Sequence, residues 1–157
     1  MSAAVIPVTA VRPMQAADLS GIQRVEQASY DYPWSGAVFR DCLLAGYHSL
    51  VLDVAGNVSG YAIMSIAAAE AHILNLCVHP ELRRLGYGRT MLNALLIKAQ
   101  DAAVKQVFLE VRPSNLAAIS LYLSAGFAEV GIRPDYYQAR NGRENAVVLS
   151  LSLVASD

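Results

Sequence analysis

The sequence predicts an α/β (α+β mixed) fold: a mixed, mostly antiparallel sheet of about six to seven strands flanked by about four helices. Three observations predict it. Apolar, strand-like stretches alternate with stretches of helical spacing along the whole chain. A turn signal, Gly56-Asn57, sits between two of the strands and marks a hairpin in the middle. The strand His72-Ile73-Leu74-Asn75-Leu76-Cys77-Val78 runs through a glycine-containing loop, Arg83 to Arg89, into Met91, Leu92, Leu95, Leu96 and Ala99 at helical spacing.

In chain order, Val8 to Arg12 read as a short first strand closed by Pro13. Asp18 is placed to cap a helix with Leu19, Ile22, Val25 and Ala28 on its apolar face. Ser35 is placed to cap a second, holding Val38, Phe39, Cys42 and Leu43. Between them lies the aromatic stretch Tyr30-Asp31-Tyr32-Pro33-Trp34, which reads equally as a hydrophobic staple into the second helix or as part of a binding wall. A meander follows: His48 to Val54, Val58 to Ala67, then Ala71 to Val78, which His79-Pro80 ends. After the glycine loop and its helix come Gln106 to Arg112, a helix from Leu116 to Ala125 stopped by Gly126, a strand from Ala128 to Ile132, and a last strand from Ala146 to Val154. No repeat, low-complexity segment or linker interrupts this order, and one domain over residues 1–157 is expected.

Composition narrows the function. Hydrophobic residues are 55% of the chain and charged ones 16%, which supports a packed core. Twelve Lys and Arg against thirteen Asp and Glu give a net charge of -1, which argues against broad nucleic-acid binding. Cys42 and Cys77 sit in apolar surroundings and read as small buried hydrophobes without a disulfide. His48, His72 and His79 lack metal-ligand spacing, so no metal is expected. Met1 to Thr9 carries no signal-peptide pattern, and no apolar run reaches the ~20 residues of a membrane helix. A cytoplasmic protein, without membrane association and monomeric, is expected.

The glycine loop is suited to gripping a phosphate. The first amides of a helix lack internal partners, its dipole favours negative charge there, and glycines let the backbone approach a ligand. A nucleotide P-loop would need Gly-Lys-Ser/Thr, which is missing, and a dinucleotide fingerprint would need a small residue where Met91 stands. An ordinary strand-to-helix turn with solvated arginines remains open on the loop alone.

Downstream, Val107-Phe108-Leu109-Glu110-Val111 carries a carboxylate within an apolar strand. Such a group is costly unless compensated, so Glu110 is either paired, with Arg112 or Arg84 as candidates, or functional. Asn115, Ala118 and Tyr122 share a helix face, and Asn115 can cap that helix while offering its amide to a ligand. Tyr122 is either a core aromatic or a proton donor.

These segments together resemble the GNAT family of N-acetyltransferases. The resemblance rests on Arg83-x-x-Gly86-x-Gly88, and on Leu109-Glu110-Val111-Arg112-Pro113-Ser114-Asn115 through Leu121-Tyr122 to Gly126-Phe127. Tyr32-Pro33-Trp34-Ser35, Asp135-Tyr136-Tyr137 and Asn141-Gly142-Arg143-Glu144-Asn145-Ala146 extend it to the bacterial RimI type, the ribosomal-protein-alanine N-acetyltransferases, over Val8 to Leu153. Gln138-Ala139-Arg140 departs from the type's proline and threonines, which bears on peptide preference.

The resemblance implies splayed central strands holding acetyl-CoA as cosubstrate. The pyrophosphate would meet Arg84, Leu85, Gly86, Tyr87, Gly88 and Arg89, and the pantetheine arm would lie along Leu76, Cys77 and Val78, with Asn115 and Tyr122 also near the cofactor. Glu110 would be the base, directly or through a water, and Tyr122 the acid that protonates the leaving thiolate. Trp34, Tyr136 and Tyr137 would wall the substrate groove, the tyrosines on the connection between the last two strands, although an ordinary aromatic hairpin explains them too. The implied partner is a protein N-terminus, the alanine of the eighteenth small-subunit ribosomal protein. Two other functions stay open: an acetyltransferase acting on a lysine or small-molecule amine, and a coenzyme-A-binding sensor without catalysis. A lysine amine at ~10.4 costs about 4–5 kcal/mol to deprotonate at neutral pH, against about 1 for an α-amine at ~7.7–8.0, so one carboxylate suits the α-amine.

Overall fold

The computed structural model describes residues 8–153. The reading of Met1 to Thr9 as lacking a leader therefore falls almost wholly outside it, as does the expected end of the last strand at Val154.

The described chain runs β1 (Thr9–Pro13), α1 (Leu19–Ser29), α2 (Gly36–Leu44), β2 (His48–Val54), β3 (Asn57–Ala67), β4 (Glu70–Val78), α3 (Tyr87–Asp101), β5 (Gln106–Val111), α4 (Leu116–Ser124), β6 (Ala128–Ala139) and β7 (Gly142–Ser152). Short 3-10 turns precede α1 (Ala16–Asp18) and follow β4 (Pro80–Leu82). The seven strands lie in the order β1-β2-β3-β4-β5-β7-β6. β1–β2, β5–β7 and β6–β7 are antiparallel, while β4 and β5 run parallel. The predicted class and the middle hairpin hold: Ala55 and Gly56 both take positive φ (55° and 86°), the two-residue turn whose twist matches the flanking strands.

Residues divide into two compact units, one reaching to Ile63 together with Asn75–Ala94, the other Met64–Leu74 together with Leu95 onwards. In the first, Ile22, Val25, Phe39, Leu50, Leu52, Tyr61, Met91 and Leu92 are buried. Gly60 is required there: a Cβ on it would stand 2.7 Å from the Cys77 carbonyl oxygen. In the second, Leu95, Val107, Leu109 and Leu149 are buried, each on the inward side of its element, and Phe127 is buried in the connection between α4 and β6.

Several expectations are corrected. Asp18 does not cap α1 with its side chain; its carboxylate takes Arg12 Nη1 and Nη2 at 2.8 and 2.9 Å, a charge-assisted pair stronger than a cap. Ser35 is the N-cap residue of α2, but its hydroxyl makes no capping bond. On α1, Glu26 is buried and Ala28 exposed, the reverse of what hydrophobicity assigns. Finally, β6 does not stop at Ile132. It continues to Ala139 through an irregularity between Arg133 and Tyr137, so Tyr136 and Tyr137 belong to the strand and not to its connection with β7.

Candidate active site

In the first unit, the end of β4 leads through Pro80–Leu82 to the glycine loop. Arg84 and Gly86 both take positive φ (66° and 85°), which turns the chain sharply into α3. The helix begins at Tyr87, earlier than its apolar spacing indicates, so Gly88 and Arg89 are in its first turn. Thr90 closes that turn, its amide and its hydroxyl both donating to the Gly86 carbonyl at 3.1 and 3.0 Å. The first turn of a helix has no preceding carbonyls of its own for its amides to bond. A Cβ built on Gly86 would meet no atom within 4 Å, so the space above the loop is open. This donor set and this opening fit the pyrophosphate of coenzyme A. Cys77 and Val78 are buried and Leu76 is half-buried. The Cys77 thiol lies 3.2 Å from the Ser29 hydroxyl, and the His79 amide donates to the Ser59 carbonyl at 2.8 Å.

Trp34 is held from beneath by Glu26. This carboxylate, 2% exposed, accepts from the Trp34 amide at 2.8 Å, from Asn75 Nδ2 at 3.1 Å and from the Tyr61 hydroxyl. Burial pushes the Tyr61 phenol up, and Cys77 and Glu26 add to it, so the hydroxyl stays a donor. Gln23 Nε2 donates to the Trp34 carbonyl at 2.8 Å, and the Trp34 ring stacks at a tilt on Phe39, 5.3 Å between centroids. Nothing in the sequence marks Glu26 except its position on α1 at i, i+3, i+4 spacing with Ile22 and Val25.

In the second unit, β5 carries Glu110 with its side chain 7% exposed. Arg112, one of the partners considered for it, pairs with Glu144 instead. Its Oε2 accepts from His72 Nε2, and its Oε1 lies 3.3 Å from Arg133 Nε. The parallel register, His72 opposite Phe108 and Ile73 opposite Leu109, sets His72 on the same sheet face as Glu110. Burial pushes the Glu110 carboxyl up, but the hydrogen bond from His72 and the charges of His72 and Arg133 outweigh it and hold it below the usual carboxylate value. The group is therefore ionised at neutral pH. A cavity of about 350 Å³ opens beside it, lined among others by Glu70, His72, Phe108, Arg133 and Val148.

Asn115 caps α4 as the sequence predicts, its Oδ1 accepting from the Ala118 amide at 3.2 Å. Two turns on, Tyr122 is buried with its ring edge-on to Phe127, 5.5 Å between centroids. Arg112 serves the β6–β7 hairpin instead of Glu110. It donates to the Gln138 carbonyl at 2.8 Å, pairs with Glu144 at 3.1 Å and covers the Tyr137 ring at 4.4 Å. Tyr136 and Tyr137 stand edge to face, 4.8 Å apart. Burial pushes the Tyr137 phenol up, with Tyr136 and Glu110 adding and Arg112 opposing.

Among the described residues no cluster of three or more His, Cys, Asp or Glu could hold a metal ion, and no helix is long and apolar enough to cross a membrane.

Comparison with known proteins places this architecture. Residues 15–127 match the model of the acetyltransferase (GNAT) family. The [ribosomal protein bS18]-alanine N-acetyltransferase of Escherichia coli K12 is 35% identical over 140 residues, 89% of this chain and 95% of the relative. The crystal structure of the ribosomal-protein-S18-alanine N-acetyltransferase from Escherichia coli superposes with a TM-score of 0.88 at 33% identity, covering 96% of this chain and 97% of that one. The yncA protein of Salmonella typhimurium, solved with acetyl-CoA as its cofactor, shares the fold at 21% identity, with a TM-score of 0.80 over 96% of both chains. With a matched family model over most of its length and relatives this similar across nearly all of it, the chain belongs to the GNAT family of acetyltransferases.

Proposed function

We propose that this chain transfers the acetyl group of acetyl-CoA to the N-terminal α-amine of a protein, the alanine of ribosomal protein bS18. The observation that carries the reading is the match to the Escherichia coli bS18-alanine N-acetyltransferase, which spans 95% of that enzyme. The opening above Gly86 and the first-turn amides of α3 support coenzyme A as the cosubstrate, whose thioester supplies the activated acetyl group.

In this reading Arg84, Leu85, Gly86, Tyr87, Gly88 and Arg89 hold the pyrophosphate, while Leu76, Cys77 and Val78 offer backbone to the pantetheine arm. Glu110 drives loss of the amine proton. Its ionised carboxylate supports the role, because only that form attracts a proton. Tyr122 donates its phenolic proton to the departing sulfur. Trp34, fixed through Glu26, Tyr137, covered by Arg112, and Tyr136, covered by Arg133, are the contacts assigned to the acceptor peptide.

A panel of peptides tests it: Ala, Ser, Gly and Met N-termini, and an N-blocked peptide with an internal lysine, each incubated with acetyl-CoA. The expected product carries one acetyl group on the Ala α-amine, located by mass spectrometry. Faster acetylation of the blocked lysine peptide overturns the N-terminal assignment.

A further inference from the structure

Glu110 is poorly placed to hold a proton by itself. Both its oxygens are engaged, one by His72 and one by Arg133, and only 7% of the side chain is exposed. Arg133 cannot accept a proton. His72 can, and its side chain is 35% exposed and lines the cavity. An ionised carboxylate accepts hydrogen bonds, so His72 Nε2 carries the hydrogen in this pair and the lone pair of the neutral ring lies on Nδ1. A buried carboxylate bonded to one imidazole nitrogen fixes the tautomer, orients the ring and stabilises the imidazolium when it forms. The other charged groups that line the same cavity are Arg133 on β6 and Glu70, two residues earlier on β4.

We propose that Glu110 and His72 act as one base, with His72 Nδ1 receiving the proton of the substrate amine. This rests on the acetyl-transfer reading above and assigns the final proton acceptor within it. The nitrogen lone pair forms the new bond to the acetyl carbon, and the N–H bond breaks. Its proton passes through water in the cavity to Nδ1, giving imidazolium held by the Glu110 carboxylate. The bond from the acetyl carbon to sulfur breaks, and the sulfur takes the Tyr122 proton. Between turnovers the imidazolium returns its proton to solvent and Tyr122 recovers one, so the step balances. Glu110 stays ionised throughout and is a positioning residue, while His72 is the catalytic one.

The test uses the full chain with an Ala-starting peptide and acetyl-CoA, and follows kcat/KM from pH 6 to 9 for His72→Ala, His72→Gln, Glu110→Gln and the His72→Ala/Glu110→Gln pair. His72→Gln keeps a donor toward Glu110 but has no lone pair able to take the proton. Both His72 variants are expected to lose about 10²–10⁴-fold, mainly in kcat. Added imidazole is expected to restore part of the His72→Ala activity, more at higher pH where imidazole is neutral. The double variant is expected to be no slower than the slower single one, since groups that act as a unit are not additive. Full activity of His72→Gln across the pH range overturns the proposal, and so does a loss in His72→Ala that imidazole does not relieve while the pH profile keeps its shape. If Glu110→Gln remains impaired in that case, the acetyl-transfer reading stands with Glu110 as its own base. If Glu110→Gln is fully active as well, that base assignment falls too.

Discussion

Glu26→Gln removes one charge and almost no volume, and it isolates the buried carboxylate that ties Trp34 to the sheet. The carboxylate receives three donors: the Trp34 amide, Asn75 Nδ2 and the Tyr61 hydroxyl. Glutamine offers a single acceptor oxygen. If that oxygen faces Tyr61 and Asn75, its NH₂ meets the Trp34 amide, donor against donor. If it is turned over, Trp34 is satisfied and the Tyr61 hydroxyl can rotate to accept, but Asn75 is orphaned. One buried donor is lost either way, at about 1–3 kcal/mol, and the surviving bonds lose their charge assistance. Relief from burying a charge offsets part of this. The net loss is expected near 2 kcal/mol, which in a domain of this size lowers Tm by about 4–8 °C. Because the Trp34 loop loses its tether, KM for the acceptor peptide is expected to rise more than kcat falls. Thermal unfolding and peptide kinetics on the same preparation read both effects. A Tm within about 1 °C of the parent, with unchanged KM, refutes the reasoning, because no orphaned donor costs so little.

Three further outcomes follow from the same structure. Arg12 and the Gln15 amide hold the Asp18 carboxyl below its ordinary value, so its stabilisation is full above about pH 4 and is lost as the pH falls through the lower folded-state value. The Tm difference between the parent and Asp18→Asn should therefore be constant near neutrality and shrink below about pH 4; a difference that grows in acid reverses the sign and sinks the assignment. Gly60→Ala should cost roughly 2 kcal/mol, since the new methyl would stand 2.7 Å from the Cys77 carbonyl oxygen, and an unchanged melting curve would show that β4 yields freely there. Tyr122→Phe keeps the ring on Phe127 and removes only the hydroxyl, so kcat should fall about 10²–10⁴-fold where chemistry limits the rate, and near-full activity would leave Tyr122 a core aromatic.

Features encoded by short-range spacing were legible. The α3 stripe Met91, Leu92, Leu95 and Ala99, the Asn115 cap and the positive-φ turn at Ala55-Gly56 each need only a few neighbouring residues. Features that depend on distant partners were not. Nothing local singles out Glu26, because its three donors come from 8, 35 and 49 positions away. The spacing of His72 tells only against a metal site, because its partner lies 38 positions on, brought alongside by the parallel register of β4 and β5. The continuation of β6 past Ile132 is hidden by Pro134 and Asp135, which are local breakers. Asp135 does take a positive φ of 52°, yet its amide donates to Asn145 Oδ1 at 3.0 Å, and pairing with β7 resumes at Tyr137. A local breaker signal cannot show that a neighbouring strand will carry the irregularity.

The electrostatics around Glu110 bear on which amine the proposed enzyme can use. A carboxylate held below its ordinary value is a weak base, and each pKa unit separating it from the amine adds about 1.4 kcal/mol to proton transfer. An α-amine at ~7.7–8.0 is already partly neutral near pH 7.5 and asks little of any base. A lysine at ~10.4 adds roughly two and a half units, about 3–4 kcal/mol, or a few hundredfold in rate. Two arrangements lower that demand: a substrate that is nearly neutral at the start, and an acceptor better matched to it than a paired carboxylate. The His72 ring, with a lone pair on Nδ1, is the acceptor proposed above. The extra cost of lysine belongs to the amine and is the same for either acceptor, while the Arg133 charge beside Glu110 sets the strength of the acceptor for both substrates alike. Arg133→Gln would remove that charge while leaving His72 in place. Because acceptor strength cancels from the ratio, that change should alter kcat/KM on an Ala-starting peptide and on its N-blocked lysine control by the same factor and leave the preference between them unchanged. A ratio that moves would refute this and place part of the selectivity in how Arg133 shapes the groove.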